Sequence, residues 1–126
     1  MRILLDTHLL LWWLGNAPTL STTALTLISE PENTVFVSSV SLWEIWLKES
    51  LGKIRLPADF EAKMATELFE SLPLSATHAR KVASLPWHHR DPFDRMLVAQ
   101  AQAENLMLLT ADPHLSPYGE FVRLVR

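Results

Sequence analysis

The stretch from Asp91 to Asp112, DPFDRMLVAQAQAENLMLLTAD, most constrains what this chain can fold into. Asp91 is a favourable N-cap, and Pro92 suits the first helical position because that position needs no backbone N–H donor. Apolar or small residues follow Asp94 at helical spacing, so Asp94 is expected to head the stripe that faces the core. The short apolar run LMLLT at 106–110 then predicts a central parallel strand. The pattern therefore predicts a helix that begins with a carboxylate, followed by a buried strand that is followed by a second carboxylate.

The same alternation of short apolar runs and helical segments extends along the whole chain. Further strands are predicted at 2–5 (RILL) and 35–39 (VFVSS), with weaker candidates at 72–74 and 121–125. Helices are predicted at 8–14, 21–30, 41–53, 59–69 and 75–85, with Gly52 as the C-cap of the third. Strands alternating with helices predict an α/β domain with a mostly parallel sheet. With no repeat, linker or low-complexity tract, residues 1–126 are expected to form a single domain.

The composition excludes several classes of protein. The chain has no cysteine, which excludes disulfides and thiolate metal sites and suits a reducing cytoplasm. The longest apolar run, at 9–14, is too short to span a membrane, and the start MRILLD does not resemble a signal peptide. The formal net charge of −3 gives no overall attraction to nucleic acid. Any binding to nucleic acid must therefore come from local cations or metal ions.

Four carboxylates are predicted to gather at one edge of the sheet. Asp6 follows the first strand and Asp112 follows the strand at 106–110, and sites in parallel α/β sheets form at the carboxyl ends of strands. Glu44 lies in the helix after VFVSS, and Asp94 opens the helix before LMLLT. Carboxylates packed together repel one another unless a cation separates them. Because Mg²⁺ and Mn²⁺ take oxygen ligands, the pattern predicts a Mg²⁺ or Mn²⁺ site.

Each of these acids also fits a purely structural role. Asp6 suits a turn or a helix cap, and Asp112 suits the start of a turn. Glu44 suits an ion pair with Lys48 one helical turn later, and Asp94 suits the positive end of a helix dipole. Glu44, however, shares only a narrow polar strip with Lys48 on an otherwise apolar helix, which favours a functional role for that acid.

The aromatic residues and histidines are weaker evidence. Five tryptophans could stack on bases, but most lie in apolar helical segments, which favours the core or a subunit interface. The pair His88-His89 with Arg90 suits either a phosphate contact or a polar loop, and His78 and His114 lack the spacing of a zinc site. The tryptophans are Trp12, Trp13, Trp43, Trp46 and Trp87.

Three motifs taken together, LLDTHLLLWWL, VSSVSLWEI and DPFDRMLVAQAQAENLMLLTAD, resemble a PIN domain, in particular a VapC-type toxin ribonuclease. The resemblance covers essentially the whole chain and implies a three-layer α/β/α fold with a central mostly parallel sheet. Position by position, it places the catalytic and metal-binding acids at Asp6, Glu44, Asp94 and Asp112. The supporting or phosphate-binding positions that match are Thr7, Ser39, Asp91, Arg95 and Thr110.

The same resemblance implies an activity and partners. The expected protein is a cytoplasmic Mg²⁺- or Mn²⁺-dependent endoribonuclease, the toxin of a toxin–antitoxin pair, that acts on RNA without membrane association. It is expected to form a homodimer and to be blocked by an antitoxin protein. Hydrolysis would use a metal-activated water rather than a covalent nucleophile, with Arg90 or Arg95 binding a phosphate. The RNA target, and whether one or two ions bind, remain open.

Three other functions also fit parts of the sequence. A phosphotransferase of the haloacid-dehalogenase type also has an acid after its first strand, but it needs another acid where this chain has His8 and a late lysine, and no lysine follows Lys81. A PIN-domain nuclease of RNA processing remains an alternative. So does a non-catalytic PIN-fold module that binds RNA or protein, although the presence of all four acids disfavours it.

Overall fold

A computed structural model describes all residues from 1 to 126. The strands are β1 (Arg2–Leu5), β2 (Thr34–Ser38), β3 (Glu70–Leu72), β4 (Met107–Thr110) and β5 (Val122–Leu124). The helices are α1 (Thr7–Leu14), α2 (Thr22–Ser29), α3 (Ser39–Ser50), α4 (Phe60–Thr66), α5 (Ala76–Ala83) and α6 (Pro92–Glu104), with a short 3-10 helix at Pro113–Tyr118. No helix has the length and apolar character needed to cross a membrane.

The five strands form one parallel sheet in the order β3-β2-β1-β4-β5. From the central β1 the chain builds outward through β2 and β3, then returns past β1 to add β4 and β5 on the other side. The direction of sheet growth therefore reverses between β1 and β4, where the loops that leave the two strands diverge. Such a reversal point at the carboxyl ends of parallel strands is where α/β proteins place their binding crevices.

The sheet is covered on both faces, which confirms the predicted three-layer α/β/α fold. Ile3 and Leu5 of β1 pack in a core with α1 and α2, whereas Leu4 packs in a second core with α6. The alternation follows from the pleat of a strand, which sends successive side chains to opposite faces. Because both faces are buried beyond the exposed first residue Arg2, β1 needs apolar residues at Ile3, Leu4 and Leu5.

The predicted boundaries of three elements need correction. The third helix begins at Ser39 with Ser38 as N-cap, so β2 ends one residue earlier and the helix starts two residues earlier than predicted. α4 spans Phe60–Thr66 and is shorter than the predicted 59–69. Gly52, predicted as a C-cap, has a φ of 71° and follows the cap residue Leu51. This left-handed conformation suits glycine and closes the helix.

The tryptophans lie largely outside the core. Trp43 and Trp46 on α3 are 58% and 42% exposed, and Trp87 in the loop before α6 is 74% exposed. Trp12 and Trp13 are half-buried and pack at the margin of the core around α1. The core alternative is therefore wrong for Trp43 and Trp46, while a subunit interface stays a prediction.

Candidate active site

Asp6 stands at the reversal point of the sheet and is almost completely buried, with 3% of its surface exposed. Its Oδ1 accepts a hydrogen bond from the backbone N–H of Leu9 and so caps α1, and its Oδ2 accepts one from the hydroxyl of Thr110 at the end of β4. Burial raises the pKa of Asp6 against the opposing effect of these hydrogen bonds. The predicted helix cap is therefore present, and the same carboxylate lies between two neighbouring strand ends.

Glu44 has a buried carboxylate that is only half satisfied. Its Oε2 pairs with the ammonium of Lys48 at 2.5 Å, so the predicted pair one turn along α3 is present. Its Oε1 is buried and has no hydrogen-bond partner in the protein. Leaving such an atom unpaired costs about 1–3 kcal/mol, more for a charged group. An orphaned carboxylate oxygen of this kind fits a site that receives a cation.

Asp94 lies in the first turn of α6, which Asp91 caps by accepting the backbone N–H of Asp94 at 3.0 Å. Burial raises the pKa of Asp94 to about 6. The negative charges of Asp91, Asp6 and Glu44 add to this rise. A hydrogen bond from His89 acts in the opposite direction.

Asp112 is the most solvated of the four acids. Its Oδ1 accepts hydrogen bonds from the backbone and the ring of His114, both at 2.9 Å, and it caps the 3-10 helix. Burial acts to raise the pKa of Asp112, but the two hydrogen bonds from His114 and the nearby charges of His89 and His114 outweigh it and lower the pKa. At a pH near 6, Asp112 is therefore ionised, whereas Asp94 is partly protonated because its pKa is about 6. Two acids of one cluster thus differ in their affinity for protons.

His89 is a member of the cluster that was not included among the predicted site residues. Its Nε2 lies 2.9 Å from Oδ2 of Asp94 and 3.6 Å from Oδ2 of Asp112. One donor atom from each of these three residues lies within 4.8 Å of the other two. The sequence signal was the pair His88-His89 in the irregular segment before α6, but sequence position alone did not show which ring faces the acids.

Arg95, predicted to bind a phosphate, needs correction. Its side chain is buried, with 4% of the residue exposed, and its guanidinium donates to the carbonyls of Pro86, Val82 and Leu85 and to the hydroxyl of Tyr118. The ring of Trp87 covers the guanidinium at 3.7 Å. With its donors occupied by the protein, Arg95 anchors the segment before α6. Arg90, the other arginine considered, is exposed.

The remaining predicted positions divide into two groups. Thr110 contacts Asp6 directly, and Thr7 is buried with its hydroxyl 3.1 Å from that of Ser41. Ser39 is exposed, and its hydroxyl accepts the backbone N–H of Leu74 beyond β3, so it has no contact with the acids. The small hydroxyl predicted before Glu44 is therefore misplaced at Ser39.

The donor set fits a divalent cation. Asp94 and Asp112 each offer an oxygen within 4.8 Å of the other and of His89, whereas Asp6 and Glu44 do not belong to this close group. Glu44 pairs with the half-exposed ammonium of Lys48. The raised pKa of Asp94 reflects burial first and the repulsion of neighbouring carboxylates second. Oxygen ligands at a partly hydrated edge of a sheet are those that Mg²⁺ and Mn²⁺ prefer.

Comparison with known proteins places this arrangement in a family. A family model for the PIN domain matches residues 3–120. Among solved structures, the chain resembles VapBC2 from Rickettsia felis bound to a promoter DNA fragment, with a TM-score of 0.73, 20% identity, and 99% of this chain and 98% of that chain covered. FitAcB from Neisseria gonorrhoeae gives a TM-score of 0.64, 19% identity and 87% coverage of both chains.

The chain also resembles VapBC-5 from Mycobacterium tuberculosis, which is a member of the VapBC family of toxin-antitoxin systems. This comparison gives a TM-score of 0.61 and 22% identity, and it covers 99% of this chain and 98% of that chain. A comparison with curated protein sequences finds no significant match. At these identities the solved structures support the fold alone. The family model spans nearly the whole chain, and the protein therefore belongs to the PIN domain family.

Proposed function

We propose that the protein is a Mg²⁺- or Mn²⁺-dependent endoribonuclease, and that it is the toxin of a toxin–antitoxin pair. The observation that carries the nuclease part is the close group of Asp94, Asp112 and His89 near the reversal point of the sheet, with the buried carboxylates of Asp6 and Glu44 in the same region and Oε1 of Glu44 unpaired. Acids that stay in such surroundings at a cost in burial and repulsion favour a function, and a non-catalytic module would not need all of them.

Asp6, Glu44, Asp94 and Asp112 would hold the cation. When bound, it would supply a water of lowered pKa for attack on a phosphodiester and would neutralise charge on the phosphoryl oxygens. The protein fixes the carboxylates by hydrogen bonds, most clearly through Thr110, which donates to Asp6 and accepts the backbone N–H of Asp112. One threonine thereby sets the distance between two of the acids.

The substrate and the partners follow from the surroundings of the site and from the relatives. Arg90 is exposed immediately after His89 and is available to contact an RNA phosphate. An antitoxin partner is supported by the similarity to VapBC-5, named as a toxin–antitoxin member. The metal, the RNA substrate and a cytoplasmic location belong to the same proposal.

The homodimer in this proposal would use the exposed apolar face of α3. Trp43, Trp46, Leu47 and Leu51 on this helix are between 36% and 59% exposed. Large apolar side chains grouped on one face of a helix are typical of an interaction surface. The ring of Trp43 also packs edge-on against the ring of Phe93, with 4.9 Å between the ring centroids. Phe93 immediately precedes Asp94 in the sequence. The proposed interface therefore borders the acidic site.

The experiment is cleavage of several structured RNAs by the purified protein with Mg²⁺, with Mn²⁺ and with EDTA. Asp94→Asn is the test variant, and Asp59→Asn, an exposed aspartate before α4, is the matched control. We expect metal-dependent cleavage that Asp94→Asn abolishes and Asp59→Asn preserves. Cleavage that persists in Asp94→Asn, or that proceeds equally in EDTA, would contradict the proposed site. A co-expressed antitoxin that suppresses the cleavage would support the toxin assignment.

A further inference from the structure

We propose that His89 is itself a metal ligand of this site, which makes it a mixed nitrogen–oxygen centre that selects a first-row transition cation over Mg²⁺. The inference rests on the metal site of the proposed function and adds a ligand of a different chemical kind to it. His89 belongs to the segment between α5 and α6, outside the carboxylate motif.

The distances suit a shared ion. His89 Nε2 lies 2.9 Å from Oδ2 of Asp94 and 3.6 Å from Oδ2 of Asp112. Two ligands with metal bonds of about 2.1 Å lie about 3.0 Å apart when they are adjacent in an octahedron and about 3.4 Å apart in a tetrahedron. The imidazole nitrogen is therefore already spaced from both carboxylate oxygens as ligands of one ion are spaced from each other.

The position of His89 is built into the structure. Its backbone N–H donates to the hydroxyl of Tyr118 at 3.1 Å, and that hydroxyl also accepts from the buried guanidinium of Arg95. Arg95 in turn holds the carbonyl of Pro86 and lies beneath the ring of Trp87. Buried Arg95 and buried Tyr118 thus hold the backbone segment that contains His89. A histidine on a freely moving loop would have no such support.

The ring of His114 completes the arrangement. It stacks on the ring of His89, with 5.9 Å between centroids and an angle of 15°, and its Nδ1 hydrogen bonds to Oδ1 of Asp112. This contact leaves Oδ2 of Asp112 on the side of His89. Hydrogen bonds to a ligating carboxylate commonly fix its orientation in metal sites. His114 is thus suited to position Asp112 without binding the ion.

A neighbouring acid, Glu44, lies outside the group of His89, Asp94 and Asp112 and adds a separate observation. Glu44 is 2% exposed, and its Oε1 has no partner, although it lies close enough to Asp94 for its charge to act on that group. Glu44 belongs to α3, whereas His89 precedes α6 and Asp112 follows β4. The three donor atoms that lie within 4.8 Å of one another come from His89, Asp94 and Asp112, and the unpaired oxygen of Glu44 is a nearby buried acceptor that a cation would satisfy.

The nature of the ligand determines which ion is preferred. Mg²⁺ takes oxygen ligands, demands near-ideal octahedral geometry and keeps several waters. Imidazole nitrogen favours later divalent ions, whose affinities rise from Mn²⁺ through Fe²⁺ to Co²⁺ and Ni²⁺. Adding His89 to an otherwise carboxylate site should therefore strengthen binding of Mn²⁺ and Co²⁺ more than that of Mg²⁺.

The test measures metal binding directly, without RNA. Calorimetric titrations with Mn²⁺, Co²⁺ and Mg²⁺ compare the wild type with His89→Gln and with the exposed neighbour His88→Gln as the matched control. We expect His89→Gln to weaken Mn²⁺ and Co²⁺ binding by about tenfold or more and Mg²⁺ binding by less than about threefold, with His88→Gln unchanged. Pulsed electron paramagnetic resonance of the Mn²⁺-loaded protein should show coupling to ¹⁴N that His89→Gln removes.

The outcomes separate this inference from the proposed function. If Asp94→Asn abolishes metal binding while His89→Gln leaves all three affinities and the ¹⁴N coupling unchanged, the carboxylate site stands and the histidine ligand is refuted. Absence of ¹⁴N coupling in the Mn²⁺-loaded wild type would refute it equally. If no divalent ion binds the folded wild type, both the inference and the metal-dependent function fail. Circular dichroism of each variant establishes that it is folded.

Discussion

Asp94→Asn should stabilise the metal-free protein at neutral pH. Burial raises the pKa of Asp94 from its ordinary value of 3.8 to about 6 in the folded protein. Each pKa unit between the folded and unfolded states is worth about 1.4 kcal/mol, so ionised Asp94 lowers the free energy of unfolding by up to about 3 kcal/mol. Asparagine keeps an oxygen that can accept from His89 but carries no charge, so the variant should recover much of that free energy.

The sign of the pH dependence follows from proton binding. Between pH 3.8 and about 6 the folded state retains a proton on Asp94 that the unfolded state has released, so stability falls as the pH rises through this window. The full penalty holds above the folded pKa. At pH 7.5 the free energy of unfolding of the wild type should therefore be lower than that of Asp94→Asn by up to about 3 kcal/mol, and at pH 5 it should be lower by about half as much.

The assay is urea denaturation in EDTA at pH 7.5 and at pH 5, repeated with Mn²⁺. The metal should stabilise the wild type and not Asp94→Asn, because only the wild type keeps the full set of acids. Because His89 contacts the carboxylate of Asp94, the comparison is repeated in a His89→Gln background, where the pH-dependent difference should persist. An Asp94→Asn variant that is less stable than the wild type in EDTA at pH 7.5, or a difference independent of pH, would refute the reasoning.

Three further variants test other parts of the structure. Thr110→Val removes the donor to Asp6 while keeping the shape, and should lower the free energy of unfolding by about 1–3 kcal/mol in urea titrations and weaken Mn²⁺ binding. Arg95→Met should cost about 1–3 kcal/mol for each carbonyl that it leaves buried and unpaired, whereas exposed Arg90→Met should change stability by less than about 0.5 kcal/mol. Equal effects of the two substitutions would contradict the anchoring role of Arg95. Trp46→Glu should shift the protein from dimer to monomer by size exclusion with light scattering, and a folded dimer that persists would place the interface elsewhere.

The fold could be predicted from the sequence because its strands are buried on both faces. RILL at β1 and MLLT at β4 can satisfy their apolar side chains only between two helical layers. The positions of Asp6 and Asp112 followed from the same pattern, since each comes directly after a strand of a parallel sheet. Local sequence is sufficient for such features because the feature and its signal lie within a few residues of each other.

The features that sequence could not predict depend on contacts between distant residues. Arg95 has the sequence context of a phosphate-binding arginine, yet Tyr118 and the carbonyls before α6 enclose it. His89 reaches the acids because that same enclosure bends the preceding segment, and nothing in the pair His88-His89 distinguishes the two rings. Ser39 was assigned from the family resemblance alone, and in the fold its hydroxyl binds the backbone N–H of Leu74, a residue 35 positions away in the chain.

The acids that cap helices bear on how this protein can change over generations. Asp6, Asp91 and Asp112 each hold a helix N-terminus as well as belonging to or bordering the acidic site. Asparagine caps helices as well as aspartate does, and a single nucleotide change converts one codon to the other. A lineage can therefore lose negative charges of the acidic site in one step while its helices keep their caps. Folded descendants that lack the proposed nuclease activity are thus separated from this sequence by single substitutions.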